Sequence, residues 1–338
     1  MRVLSVGNLY PPRHLGGYEL MWEAVVVELR ARGHEVDVLA LPELRSYWRD
    51  HRWPRRLHWA SPWIERANRR TFAARAAQAD IVSFWSMGGL SMSLVEHRPS
   101  LCVVLDDWLR YGPVVDPAWR KAGPPAIDRG LFISEFIRAR AGVGGEIVHV
   151  GYDERAFVAS DPPPWSGRLY LPGRLDRRKG HLTALAALPP DATLTVSGVG
   201  DAAFERELHA AAGPNVTFST TRDRAAIAAE YAAHDAVLFP VEWEEPWGLV
   251  PLEAMAVGRP VIATGTGGSA EYLVDGENCL LVPPGDADAL RAAIRRLADE
   301  PGLREALRRG GLATAPRFTQ SRFVGAVADA HEAYACGR

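Results

Sequence analysis

Cysteine is scarce. Cys102, Cys279 and Cys336 are the only three in the chain. They are odd in number, widely spaced, and fit neither a disulfide framework nor a metal-ligand spacing. That argues against a stapled secreted scaffold and makes a reducing, cytoplasmic setting the simplest expectation. Long apolar runs are missing too. No stretch reaches the roughly 20 residues that span a bilayer, and Met1–Val6 has a short buried-strand pattern, too short for a signal peptide. Neither sign of charge is in excess: 39 Lys plus Arg stand against 41 Asp plus Glu. Bulk electrostatics therefore point to neither nucleic acid nor a strongly acidic partner. The first strand is followed by Asn8-Leu9-Tyr10-Pro11-Pro12 rather than by Gly-x-Gly-x-x-Gly, which argues against an NAD-binding turn.

What is present is regular alternation. The 338 residues, 47% of them hydrophobic, suffice for two cores. Short apolar runs at Arg2–Gly7, Val36–Ala40, Ile81–Trp85, Leu101–Leu105, Gly130–Ile133 and Glu146–Val150 are separated by helical patterns, as in βαβ units with a parallel sheet. Asp161-Pro162-Pro163-Pro164 continues neither element and reads as a stiff linker. The alternation then restarts. Strands are expected at Arg168–Leu171, Thr193–Ser197, Asn215–Phe218, Ala236–Phe239, Pro260–Ala263 and Leu280–Val282. Helices are expected from Lys179, from Asp201, near Ala225–His234, over Leu249–Val257, within Asp286–Arg309 and over about Ser321–Tyr334. The expected division is a first α/β domain over residues 1–160 and a second over 161–316, followed by the last helical stretch. Two such halves imply a cleft lined by the loops that follow the strands.

The densest chemical signal is Glu244-Glu245-Pro246-Trp247-Gly248-Leu249-Val250-Pro251-Leu252-Glu253. Glu245 stands in a loop after a buried strand. Gly248 permits a tight turn, and Pro251 is tolerated in a first helical turn. The amides of Gly248, Leu249 and Val250 then face out of a helix N-terminus, which favours anions and hydroxyl acceptors. Two carboxylates beside free amides suit a ligand with hydroxyls and a phosphate; the plain alternative makes Glu253 a helix-stabilising acid.

This segment resembles the Glu-x7-Glu signature of retaining glycosyltransferases of family four. Gly173-Arg174-Leu175-Asp176-Arg177-Arg178-Lys179-Gly180, the glycine turn Gly198-Val199-Gly200 and the N-terminal loop Gly16-Gly17-Tyr18-Glu19 resemble that family's other motifs, as do Gly267–Glu271 and Leu281–Asp286. The resemblance covers nearly the whole chain, is weakest over residues 42–125, and implies that a terminal helix within 317–338 returns to the first domain. It implies the GT-B fold, two Rossmann-like domains facing each other across a cleft, with a nucleoside diphosphate sugar (UDP or GDP) as donor and a hydroxyl-bearing acceptor. It implies that Glu253 binds the ribose hydroxyls, Glu245 the donor sugar, and Arg174 and Lys179 the diphosphate. The backbone and side chains of Gly16, Gly17, Gly198, Gly200, Trp247, Gly248, Leu249 and Val250 complete the donor site. No metal and no other cofactor is expected, since GT-B enzymes usually work without one and Asp106-Asp107 is not a spaced Asp-x-Asp pair.

One position departs from the pattern. Asp106 stands where the family commonly has a histidine. An ionised aspartate accepts hydrogen bonds and cannot donate them, so Asp106 is read either as a catalytic-site residue or as a strand-end aspartate capping a turn. Ser134 reads as a helix N-cap. Residues 45–75 interleave Arg45, Arg49, Arg52, Arg55, Arg56, Arg66, Arg69 and Arg70 with Trp48, Trp53, Trp59 and Trp63. Acceptor binding is the favoured functional reading there, with a membrane surface as a lesser one, against a solvated arginine face. Rival functions for the chain are a nucleotide-sugar epimerase on the same architecture, a silent sugar-binding module, and glycolipid or polysaccharide assembly in place of natural-product glycosylation.

Overall fold

The computed structural model describes residues 1–8, 10–12, 17–41, 61–85, 92–110, 126–221 and 223–336. The chain forms two units, Met1–His149 with Arg322–Arg338, and Val150–Ser321. The boundary falls ahead of Asp161–Pro164, which lie inside the second unit. There the buried Arg259 guanidinium donates to the carbonyls of Ser160 (3.1 Å) and Asp161 (3.1 Å) and fastens that stretch down.

The first unit holds a six-stranded sheet in the order β2-β1-β3-β4-β5-β6. Its strands are β1 (Arg2–Gly7), β2 (Glu35–Ala40), β3 (Ile81–Trp85), β4 (Ser100–Val104), β5 (Arg129–Phe132) and β6 (Glu146–Ile147). Every pairing is parallel. Parallel pairing requires crossovers and buries both faces, which is why β3 and β4 are buried at every position. The sixth strand is shorter than its apolar run suggests: beyond Ile147, Val148 N reaches back to Phe132 O (2.8 Å) and His149 Nδ1 lies 2.9 Å from Ile133 O, without continuing the ladder. Helix α1 (Gly17–Ala31) buries Met21, Trp22, Val25, Val26 and Leu29, the stripe expected at helical spacing. Trp22 donates to Ser5 Oγ at 2.6 Å and stacks on Trp85, fixing the helix over the central strands. Helix α2 (Ser61–Ala76) packs through Phe72 and Ala76 and leaves Trp63, Arg66, Arg69 and Arg70 exposed. The rest of the Arg- and Trp-rich stretch, including Trp48, Trp53 and Trp59, lies outside the described residues. Ser134 caps α3 (Glu135–Ala141), accepting from Ile137 N at 3.1 Å.

The second unit holds another six-stranded parallel sheet, ordered β12-β11-β10-β7-β8-β9. The strands are β7 (Arg168–Pro172), β8 (Thr193–Ser197), β9 (Val216–Ser219), β10 (Ala236–Phe239), β11 (Val261–Ala263) and β12 (Leu280–Leu281). Its helices are α4 (His181–Ala187), α5 (Ala202–Ala211), α6 (Arg224–Ala233), α7 (Leu249–Val257), α8 (Ala287–Asp299) and α9 (Pro301–Thr314). Leu169, Leu171, Leu194, Val196, Leu238 and Ile262 from the strands meet Leu290, Ile294 and Leu297 from α8 in one core. Lys179 does not open a helix. It ends a 3-10 turn, Arg177–Lys179, and Gly180 (φ 71°) separates that turn from α4. The final helix, α10 (Gln320–Cys336), begins in this unit, and from Arg322 onward it belongs to the first.

Candidate active site

In the second sheet the strand order reverses between β7 and β10. Ligands of open α/β sheets gather beyond the carboxyl ends of the strands at such a reversal. The loop leaving β7 carries Arg174 and Lys179, and the loop leaving β10 carries Glu245 and Gly248.

The β7 loop is held rigidly. Asp176 accepts from the Arg178 amide (3.0 Å) and guanidinium (2.7 Å), and the Arg178 guanidinium holds its carboxyl well below the usual range. The loop is also laced to the turn after β8. Leu175 N donates to Val199 O at 3.0 Å. A Cβ on Gly198 would lie 1.9 Å from Gly173 O, and one on Gly200 would lie 2.0 Å from Leu175 O. Only glycine lets the two backbones approach so closely. Arg174 is exposed and makes no ion pair with any described residue.

In the β10 loop, Glu245 is nearly buried. Its Oε2 accepts from Lys179 Nζ at 2.6 Å and from Trp243 Nε1 at 2.7 Å. The Arg178 guanidinium lies 4.4 Å over the Trp243 ring. An ammonium and an indole N–H therefore converge on one oxygen of Glu245. Trp247 is buried against Tyr272 (5.0 Å) and Phe318 (5.2 Å) and serves as packing beneath the loop.

Gly248, at φ 88°, turns the chain into α7, whose N-terminus no side chain caps. The helix that begins at Leu249 and Val250 carries Glu253 inward. Glu253 Oε2 accepts from Tyr231 Oη at 2.7 Å, and Oε1 from Arg224 at 3.3 Å. Burial pushes the Glu253 carboxyl up, and Arg224 opposes that. A carboxylate has about four acceptor positions. Among the described residues, Tyr231 and Arg224 fill two of them.

In the first unit, Gly17 is the exposed first residue of α1, and Gly16 lies outside the described residues. Asp106 follows β4 and accepts from Trp108 N at 2.9 Å, a turn-capping bond, while Asp107 pairs with Arg140 at 2.7 Å. No group of three or more metal-ligating side chains occurs among the described residues, and no helix among them is long and apolar enough to cross a membrane.

Arg224, Tyr231 and Trp243 are the participants that sequence reasoning passes over. A signal for the first two exists. Positions 224 and 231 are seven apart and so share one face of α6.

The architecture, two parallel-sheet α/β domains, is that of solved GT-B glycosyltransferases. Sucrose-phosphate synthase from Thermosynechococcus elongatus superposes with a TM-score of 0.79 at 20% identity, covering 100% of each chain. Anabaena HepE, solved in complex with UDP-glucose, gives 0.73 at 18% identity, covering 98% of this chain and 100% of that one. Residues 166–313, which hold Arg174, Lys179, Glu245 and Glu253, match the family described as Glycosyl transferases group 1. Among curated relatives, the D-inositol 3-phosphate glycosyltransferase of Acidothermus cellulolyticus is 38% identical over 267 residues, covering 67% of this chain and 58% of the relative. The match spans 37%, 45% and 58% of the length of three such curated relatives.

Proposed function

We propose that the protein transfers a sugar from a nucleoside diphosphate sugar to an acceptor hydroxyl with retention of anomeric configuration, UDP being favoured over GDP. The observation that carries this reading is the meeting of Lys179 with Glu245 at the strand-order reversal, beside an uncapped helix N-terminus and a buried Glu253 with accepting capacity to spare. Glu253 takes the two ribose hydroxyls. Glu245 takes hydroxyls of the donor sugar, and Lys179, Arg174 and the Gly248–Val250 amides hold the diphosphate. The acceptor oxygen forms a bond to the anomeric carbon as the bond from that carbon to the β-phosphate oxygen breaks. The electron pair leaves with the diphosphate, which takes up the acceptor's proton. Negative charge grows on that leaving group, so fixed cations stabilise the transition state more than the ground state. Metal independence, a cytoplasmic setting and an acceptor of the natural-product oligosaccharide type, contacted near Asp106 and the Trp- and Arg-rich stretch, belong to the same reading.

A thermal-shift panel tests it. UDP or GDP stabilises by mass action, about 2.7 kcal/mol at a hundredfold excess over Kd, and NAD does not. NMR of the product anomer tests retention. Stabilisation by NAD alone, or an inverted product, overturns the corresponding part.

A further inference from the structure

Five groups in the second unit form a chain of contacts that the reading above uses at only one point. Glu253, on α7, faces Arg224 and Tyr231, both on α6. Beyond Arg224 stands Asp153, its carboxylate 4.0 Å from Arg224 Nε. The Arg224 guanidinium also lies over the Phe157 ring, 4.8 Å from its centre, and Phe157 in turn meets Tyr231 edge-on. Tyr231 is fully buried, whereas the Arg224 side chain is 38% exposed. The guanidinium is thus seated by a ring and two carboxylates, with part of its edge open toward solvent.

From this juxtaposition, and resting on the assignment of Glu253 to the ribose, we infer that Arg224 is a positioning residue for nucleotide binding: it keeps the Glu253 carboxylate charged and aimed, so that both ribose hydroxyls find acceptors. The chemistry requires such a group. A protonated carboxyl turns one oxygen into a donor and loses part of its capacity to accept from a vicinal diol. Burial drives Glu253 toward that protonated form, and Arg224 is the cation that opposes it. Of the other titratable groups around the carboxylate, Asp153 is an anion and opposes its charge, whereas Tyr231 supports it through a neutral hydroxyl. Tyr231, Tyr170 and Tyr272 are held neutral by burial, so Arg224 is the cation among them. Its side chain is 38% exposed, against 27% for Asp153.

The experiment measures, on the full chain, the Kd of UDP or GDP, whichever binds more tightly, and of its 2′,3′-dideoxy analogue, from pH 6 to 9. The ratio of the two isolates the ribose hydroxyls and cancels titration of the phosphates. In the parent the dideoxy analogue binds more weakly by ~10-fold or more, the scale of hydrogen bonds to a charged group, and the ratio is flat with pH. In Arg224→Met the ratio is close to the parent's at pH 9 and falls about tenfold per pH unit once the carboxyl protonates. Arg224→Lys restores the flat profile. Arg224→Gln, also uncharged, stands in if the Met variant does not fold. A pH-independent ratio in both uncharged variants overturns this inference. A parent ratio near one overturns the ribose assignment itself, so the two failures are distinguishable.

Discussion

Replacing Lys179 separates what the ion pair does for the fold from what it does for the reaction. The side chains of Lys179 and Glu245 are 21% and 11% exposed, and their charged atoms are 2.6 Å apart. An exposed pair would be worth at most about 1 kcal/mol. Removing one partner of a fully buried pair costs ~3–5 kcal/mol, because the other charge is stranded. This pair lies between those limits, and Glu245 keeps the Trp243 N–H. Lys179→Met is therefore expected to cost about 2 kcal/mol in denaturant unfolding. Adding Glu245→Gln removes the stranded charge and restores most of that stability. Turnover behaves differently. If Lys179 meets charge that grows on the leaving diphosphate, kcat falls by ~10²–10³ with a smaller change in donor KM. The double variant, stable again, remains as slow or slower. Recovery of turnover together with stability, or a variant that only raises KM, would refute this division.

Four further outcomes follow from the same geometry. Glu253→Gln should weaken nucleotide binding by ~1.5–3 kcal/mol in calorimetry; unchanged affinity in a folded variant sinks the ribose role. The raised Glu253 carboxyl contributes stability below the ordinary carboxylate value that is lost as pH rises through its folded value. Melting curves should therefore show Glu253→Gln at least as stable as the parent at pH 8, with that advantage shrinking on acidification; the opposite trend contradicts the burial argument. Activity should survive EDTA, because the Arg174 and Lys179 cations and the α7 amides meet the phosphates; complete loss restored by magnesium would contradict that. Gly198→Ala should cost about 3 kcal/mol or more, since its Cβ meets the Gly173 carbonyl at 1.9 Å and neither backbone can yield cheaply; a melting temperature within a degree or two of the parent's would show that the two loops are looser than drawn.

Much of this was legible from one dimension because the relevant signals are local. Buried parallel strands write themselves as apolar runs, so β1, β3, β7 and β10 stand where the runs do. The turn at Gly248 and the helix closing at Gly258 are marked by their own residues. What escaped was non-local or terminal. The strand from Glu146 stops at Ile147 because an edge strand pairs on one side only. Lys179 lies outside the helix because Asp176 caps the turn ahead of it. Neither Trp243 nor Arg224 carries a local mark of its role. Glu253 sits on a different helix from Arg224, and only folding brings the two together; Trp243 is two residues from Glu245, but that spacing alone does not say that the indole N–H turns onto the carboxylate.

The path of the backbone has a consequence for the order in which the protein can be made. The first unit is interrupted: the chain completes β6, builds all of the second unit, and only then supplies the body of α10. Arg32 reaches Asp329 at 2.6 Å, His34 reaches Glu332 at 2.9 Å, and Tyr334 donates to Asp128, so that late helix is stitched to the turn between α1 and β2 and to the residue ahead of β5. A chain that stops at Ser321 therefore holds every residue of the second unit and lacks the last piece of the first. In such a truncated chain a protease would find the first unit the softer target.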